Sequence, residues 1–200
     1  MNNKIYLLRF HINNIRMKKI IIGITGASGV IYGIRLLEIL NKLKIETHLI
    51  LTNSATKVLK HETNYKEKEI ISLVTHHYDE NNIAASLASG SFKTDSMVII
   101  PCSAKTLAGI ATGYSTNLVL RAAEVCIKER RKLVLVPREA PVSSIQLKNM
   151  LNVTNAGVIV LPASPGFYHK PKKINDLVDH VVGKVLDSLD IEHELFKRWE

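Results

Sequence analysis

The chain alternates between two hydrophobic rhythms. Short apolar runs fall at 20–24, 97–101 and 158–162, and two more, each entered through polar residues, fall at 47–51 (Thr-His-Leu-Ile-Leu) and 132–136 (Lys-Leu-Val-Leu-Val). Between them, apolar residues recur every three or four positions, as at Val30, Ile31, Ile34, Leu37 and Leu40. Unbroken runs of strand length belong to strands covered on both faces, and the wider spacing belongs to helices with one buried stripe. The pattern predicts five strands over those runs, the second starting at Glu46. It predicts helices over 30–40, 55–60, 66–74, 117–131, 143–156 and 174–189, with another starting just after 102. Residues 76–82 (His-His-Tyr-Asp-Glu-Asn-Asn) read as a polar turn, and 84–91 as a loop of small and hydroxyl residues. The segment 163–171 reads as an ordered loop stiffened by proline and aromatic side chains.

Strands alternating with helices define an α/β fold. The expected architecture has three layers: a Rossmann/flavodoxin-like open parallel sheet with helices on both faces. No repeat, low-complexity tract or linker interrupts it, so one domain is expected over 17–200, which is long enough to bury a core. Residues 1–16 carry Lys4, Arg9 and Arg16 and no acid, and they precede a second methionine, Met17. We read them as an upstream start or a disordered N-terminal extension, with a short organellar presequence as the weaker alternative.

Charge and cysteine content narrow the function classes. The formal net charge is +9, without a basic stripe interleaved with aromatics, so nucleic acid is not the expected partner. An anionic small ligand accounts for the charge as well. No apolar run has the length of a membrane span. Cys102 and Cys126 are too far apart for a Cys-x-x-Cys site and suggest a reducing, cytoplasmic setting. Cys102 reads as a packing residue, since no histidine is paired with it in sequence. The adjacent histidines His76 and His77 point apart on any regular element, and no further His or Cys stands at ligand spacing. No metal is therefore expected.

The candidate chemistry gathers at strand ends. The first apolar run ends in Gly-Ile-Thr-Gly-Ala-Ser-Gly (23–29) and leads straight into a helix. Such a corner offers backbone N–H groups and a helix N-terminus to a phosphate. A P-loop would need Lys after the glycines, and Val30 stands there. A dinucleotide site usually has an acid after the second strand, where this chain has Thr52-Asn53-Ser54. A mononucleotide such as FMN fits better. Cys-Ser-Ala-Lys-Thr (102–106) repeats the corner, so Ser103, Lys105 and Thr106 should face the same crevice as Ser28. Arg121, Glu124 and Lys128 share a helix face, either as an ion-pair stripe or as an anion clamp. Arg138 and Glu139 sit between Pro137 and Pro141 at the end of a buried strand, a cation beside a carboxylate suited to phosphate binding and proton transfer.

Together with Ala-Ala-Ser-Leu-Ala-Ser-Gly-Ser-Phe (84–92), Pro-Cys-Ser-Ala-Lys-Thr-Leu (101–107), Arg-Ala-Ala-Glu-Val (121–125), Lys-Glu-Arg-Arg (128–131), Pro-Arg-Glu-Ala-Pro (137–141) and Gly-Phe-Tyr-His-Lys-Pro (166–171), the opening corner resembles the UbiX-type flavin prenyltransferases over 17–199. The resemblance implies transfer of a dimethylallyl group from dimethylallyl phosphate to N5 and C6 of reduced FMN, without a metal. It implies prenylated FMN for a UbiD-type decarboxylase, in ubiquinone synthesis or aromatic acid breakdown, and a homododecamer. By motif, Gly26, Ala27, Ser28, Thr52, Ser103, Ala104, Lys105, Thr106 and Arg121 match positions that bind FMN. Ser89, Gly90, Lys128, Arg138, Tyr168 and Lys184 match the positions gripping the prenyl phosphate. Lys184 also stands where relatives have Arg, and it keeps the charge without the bidentate fork. Glu139 matches the acid/base carboxylate, Ser28 lies near flavin N5, and Glu62 matches a second carboxylate close to the site.

Three alternatives follow from the same residues. An FMN-dependent cysteine decarboxylase would carry a Pro-x-Met-Asn segment, whose place Pro-Arg-Glu-Ala-Pro takes here. A flavodoxin-like electron carrier would lack the Lys128, Arg138, Tyr168 and Lys184 set. A protein that only binds FMN would have lost Glu139 or that set.

Overall fold

A computed structural model describes residues 18–199, so the extension at 1–16 lies outside the described residues. Its sheet has six strands: β1 (Lys19–Ile24), β2 (Glu46–Leu51), β3 (His76–Tyr78), β4 (Ser96–Cys102), β5 (Lys132–Pro137) and β6 (Ile159–Val160). They run parallel in the order β3-β2-β1-β4-β5-β6. Seven helices connect and cover them: α1 (Val30–Lys42), α2 (Asn53–Glu62), α3 (Glu67–Ile71), α4 (Ala104–Thr112), α5 (Leu118–Lys128), α6 (Ser144–Asn155) and α7 (Ile174–Ser188). The strand order reverses between β1 and β4, which opens a crevice beyond their carboxyl ends.

The apolar runs are unbroken because each face of the sheet has its own core. Ile20, Ile22, Ile24, Val98, Ile100, Val134 and Val136 point to one face and meet α1, α2 and α7. Ile21, Met97, Ile99, Leu133 and Leu135 point to the other and meet α4, α5 and Val153 of α6. Ile22, Leu37, Leu49 and Val98 are wholly buried. Truncating one of these to Ala costs about 2–5 kcal/mol in lost transfer energy and cavity.

Side chains start the helices at fixed points. Thr52, Ser103, Asn117 and Ser143 cap α2, α4, α5 and α6 by accepting from Ala55, Thr106, Leu120 and Gln146. The first three caps border the crevice, so the residues that fix the helices also shape its wall.

Two sequence readings need correction. Residues 76–78 form an edge strand, with His48 registered against His76, and are not part of a turn. The helix predicted over 66–74 is shorter, Glu67–Ile71. Residues Ser86–Ala88 make one 3-10 turn within the loop predicted at 84–91.

Candidate functional site

Thr25 ties the two strands at the point where they part. Its buried hydroxyl donates to the Pro101 carbonyl at 2.8 Å and accepts the Ser103 N–H at 2.8 Å. Gly26 follows because the start of α2 comes so close that a Cβ there would collide with Ser54. The crevice that results has a volume of about 340 Å³. Gly26, Ala27 and Ser28 form one wall, Ser103, Ala104, Lys105 and Thr106 another, and Thr52, Arg138 and Glu139 complete it. The two hydroxyl-rich corners predicted to face each other do so.

The anion donors are distributed differently from the sequence reading. The N-terminus of α1 already holds a carboxylate: Glu62 accepts from Gly29 N–H at 2.8 Å and from Val30 N–H at 3.4 Å. Gly29 has φ of +95°, which suits glycine, and no side chain of its own to cap with. The phosphate-binding potential assigned to that helix end is therefore met by Glu62. The start of α4 has Ser103 as its cap and Lys105 in the crevice wall. Arg138 reaches across with Nε 3.4 Å from the Ser28 carbonyl. Glu139, in the crevice wall, accepts a hydrogen bond from Gln146 Nε2 of α6 at 3.1 Å.

Several wall residues were not singled out in the sequence. Glu80 and Asn117 line the crevice beside Ser54 and Leu120. Glu80 accepts from the Asn53 N–H at 2.8 Å and from Asn117 Nδ2 at 3.1 Å. A carboxylate does stand beyond the second strand, supplied by a residue remote in sequence. The absence of an acid at 52–54 is thus no ground for choosing a mononucleotide. Asn117 had a local signal, an Asn just before an apolar helical run; Glu80 had none.

The remaining candidate residues lie apart from this crevice in the single chain. Ser89 and Gly90 sit beside Lys128, whose Nζ a Cβ on Gly90 would meet at 2.9 Å. Arg131 pins that loop by donating to the carbonyls of Gly90 and Phe92 at 2.6 and 2.8 Å. Arg121 donates to Ala88 O at 3.2 Å and to Glu124 at 2.9 Å, so the helix face is an ion pair at Arg121–Glu124. Lys128 pairs with Glu129 instead, at 2.6 Å. Tyr168 and Lys184 form a third group with α7, where Lys184 Nζ lies 3.3 Å from Asp187.

Both cysteines are buried and chemically quiet. Burial pushes the Cys102 thiol up to about 12, and the Cys126 thiol likewise against the pull of Arg131. Neither is a thiolate nucleophile near neutral pH.

A second polar cluster occupies the opposite, amino end of the sheet. Glu46 Oε1 gathers Lys19 Nζ at 3.0 Å, His48 Nε2 at 3.1 Å and His76 Nε2 at 3.8 Å. His48 stacks on His76 with ring centroids 4.7 Å apart. The sequence reading that no further histidine neighbours His76 is corrected here, because β2–β3 pairing brings His48 beside it. Lys19 already holds the carboxylate that this cluster would offer a cation.

The doubly wound sheet and the hydroxyl-lined crevice at its switch point define an α/β protein of the nucleotide-binding kind. The Flavoprotein family model matches residues 9–191. A flavin prenyltransferase UbiX of Methanocaldococcus jannaschii is 54% identical over 181 residues, covering 90% of this chain and 98% of that protein. The crystal structure of AnUbiX (PadA1) in complex with FMN and dimethylallyl pyrophosphate aligns with a TM-score of 0.91 at 44% identity, over 92% of this chain and 98% of that one. A dodecameric FMN-dependent UbiX-like decarboxylase from Escherichia coli O157:H7 aligns with a TM-score of 0.89 at 46% identity, over 91% and 99%. The chain belongs to the UbiX-type flavin prenyltransferases of the Flavoprotein family. The peptidyl-cysteine decarboxylase EpiD, of the alternative class considered above, shares only the fold, at 20% identity and a TM-score of 0.64 over 87% of this chain and 99% of that one.

Proposed function

We propose that this chain joins a dimethylallyl group from dimethylallyl phosphate to N5 and C6 of reduced FMN. The observation that carries this reading is the Arg138–Glu139 pair in the wall of the crevice that the two hydroxyl-rich corners line. Flavin bound against Gly26, Ala27, Ser28, Thr52 and residues 103–106 would lie beside a fixed cation and a fixed carboxylate. The flavin is a substrate here, and the prenylated product leaves.

In this reading the allylic C–O bond breaks and phosphate departs with the electron pair. Cations around the departing oxygen stabilise that charge, a role for Lys128, Arg138 and Lys184 with Ser89, Gly90 and Tyr168. The N5 lone pair forms the first C–N bond. The N5 proton leaves toward Glu139; returned to the prenyl C=C, it makes a tertiary cation that C6 captures to close the ring, and the C6 proton then departs to the same carboxylate. Ser28 and Glu62 would border the flavin end of the site, and Arg121 would bind the FMN. Much of the rate enhancement comes from holding two reactants in register.

The Ser89–Gly90–Lys128 and Tyr168–Lys184 groups stand outside the crevice of their own chain. A closed homo-oligomer, such as the dodecamer of the E. coli relative, would bring them to the crevices of neighbouring copies. The product would then pass to a UbiD-type decarboxylase. No helix among the described residues is long and apolar enough to cross a membrane.

The test is an anaerobic incubation of the purified full chain with reduced FMN and dimethylallyl phosphate, followed by mass analysis of the released flavin. A flavin heavier by one five-carbon unit is expected. Tightly bound but unmodified FMN would overturn the proposal.

A further inference from the structure

Tyr168 is held by a histidine that the motifs did not single out. The Tyr168 hydroxyl lies 3.0 Å from Nε2 of His180 on α7. The other ring nitrogen, Nδ1, accepts the backbone N–H of Gly166 at 3.2 Å. A backbone N–H only donates, so Nδ1 carries a lone pair and the proton sits on Nε2. His180 therefore donates to Tyr168 Oη, and the phenol keeps its own proton to donate outward.

The surroundings leave this pair one arrangement. His180 is buried at 6% exposure. His169 stacks on its ring at 4.9 Å, Phe196 lies at 4.7 Å, and Tyr168 meets it edge-on at 5.3 Å. A Cβ on Gly166 would come within 3.1 Å of the Tyr168 ring and 3.3 Å of the His180 ring, so a side chain there would crowd both. Trp199 closes the far side of Tyr168, edge-on at 5.7 Å.

We propose that His180 is a positioning residue: by fixing the tautomer and hydrogen-bond direction at Tyr168, it aims the phenol proton at the phosphate of the prenyl donor. The proposal rests on the reading of Tyr168 as a phosphate-gripping residue. It assigns His180 no contact with either substrate.

Acid should undo the arrangement. The groups facing His180 are His169 and Tyr168 from the loop, Lys184 and Asp187 from its own helix, and Phe196 from the C-terminal segment, where Arg198 and His193 pair with Asp187. Burial, then His169, then Lys184 hold the imidazole below its ordinary value, against the pull of Asp187. The ring is therefore neutral near neutral pH. Protonation would set an Nδ1–H against the Gly166 N–H.

The tautomer can be read directly by 15N NMR of the full chain labelled at histidine. A protonated Nε2 with a bare Nδ1 is expected, and a protonated Nδ1 overturns the proposal whatever Tyr168 does. Kinetics then test the consequence. His180→Phe keeps a ring of similar size and removes both hydrogen bonds. It should raise KM for dimethylallyl phosphate about tenfold, the scale of one hydrogen bond to a charged group, with FMN affinity unchanged. His180→Gln, whose amide offers one acceptor and one donor, should restore most of the loss and remain functional in acid where the native protein declines. In a Tyr168→Phe background, His180→Phe should add nothing. An equal further loss there, or an equal loss of FMN affinity, overturns the proposal. If Tyr168→Phe alone leaves the donor KM unchanged, the phosphate reading of Tyr168 fails, and the NMR result separates that failure from failure of the His180–Tyr168 contact. His180→Gln and the NMR measurement stand even if His180→Phe does not fold.

Discussion

Glu62 accepts the backbone N–H of Gly29 at 2.8 Å, across 33 residues of sequence. The last residue of α2 thereby caps the first turn of α1, and it does so on the rim of the crevice. A carboxylate at a helix N-terminus is favoured both by the unpaired N–H groups and by the helix dipole. Removing it costs about 1 kcal/mol, which for a chain of this length is about 2–4 °C in Tm. Glu62→Ala should show that loss by calorimetry, and Glu62→Gln a smaller one because the amide oxygen still accepts. If both variants melt with the native protein, water replaces the cap at no cost.

Glu139 is expected to separate binding from chemistry. Glu139→Gln keeps an acceptor for Gln146 but cannot take a proton. Turnover should fall about 10²–10⁴-fold, the usual range for a lost acid/base group. FMN affinity, measured by equilibrium titration, should be unchanged. Native turnover in this variant would remove Glu139 from proton transfer.

Lys128 should act on one substrate only. Lys128→Ala is expected to raise KM for dimethylallyl phosphate about tenfold, as for loss of a charge-assisted hydrogen bond. Titration with FMN should give the native constant. Equal weakening of both would show that Lys128 holds the fold of the 86–91 loop rather than the donor.

Thr25 carries stability at the strand switch. Thr25→Val preserves shape and removes the hydroxyl that joins Pro101 O to Ser103 N. An unpaired buried group costs about 1–3 kcal/mol. Urea unfolding should show that loss with an unchanged slope, and FMN affinity should fall because the Ser103 corner is no longer held.

The C-terminal segment should loosen in acid. Burial would raise the pKa of Asp187, but hydrogen bonds from Arg198 and Lys184, with the charges of Arg198 and His193, outweigh it and bring it from 3.8 to about 2. A depressed carboxylate pKa stabilises above the ordinary value, and that contribution is lost as pH falls through the folded one. Between about pH 4 and pH 2 the contacts of Lys184, His193 and Arg198 with Asp187 should fail. Trp199 is the only tryptophan of the chain, so its fluorescence reports the release. Asp187→Asn should show the same change near neutral pH; a flat emission profile in both would dissociate the segment from Asp187.

Much of the fold is legible in the sequence because buried parallel strands leave unbroken apolar runs. The corners at 23–29 and 102–106 are legible because small residues and a cap must follow a strand that turns at once into a helix. β3 is not, since three polar residues at a sheet edge are held by backbone pairing rather than by burial. The seat of Glu62 on Gly29 and that of Glu80 on Asn53 leave no local trace, because each joins segments far apart in the chain. Tyr168 carries a motif, whereas His180 reads as one more position of an amphipathic helix. The resemblance gives the order of the phosphate-gripping residues but not their distances. For that reason the separation of Lys128 and Tyr168 from the crevice emerges only in three dimensions.

The crevice draws its walls from both sides of the strand switch, from residues 25–54 with Glu80 and from residues 103–139. During synthesis the first corner therefore leaves the ribosome long before its counterpart exists. A nascent chain that ends before Arg138 has no complete pocket to offer, and flavin cannot template the folding of the first half. Loading must wait until the second half has emerged and β4 has slotted in beside β1. Flavin then acts only on chains whose second half has emerged, where by binding the folded form it also stabilises it.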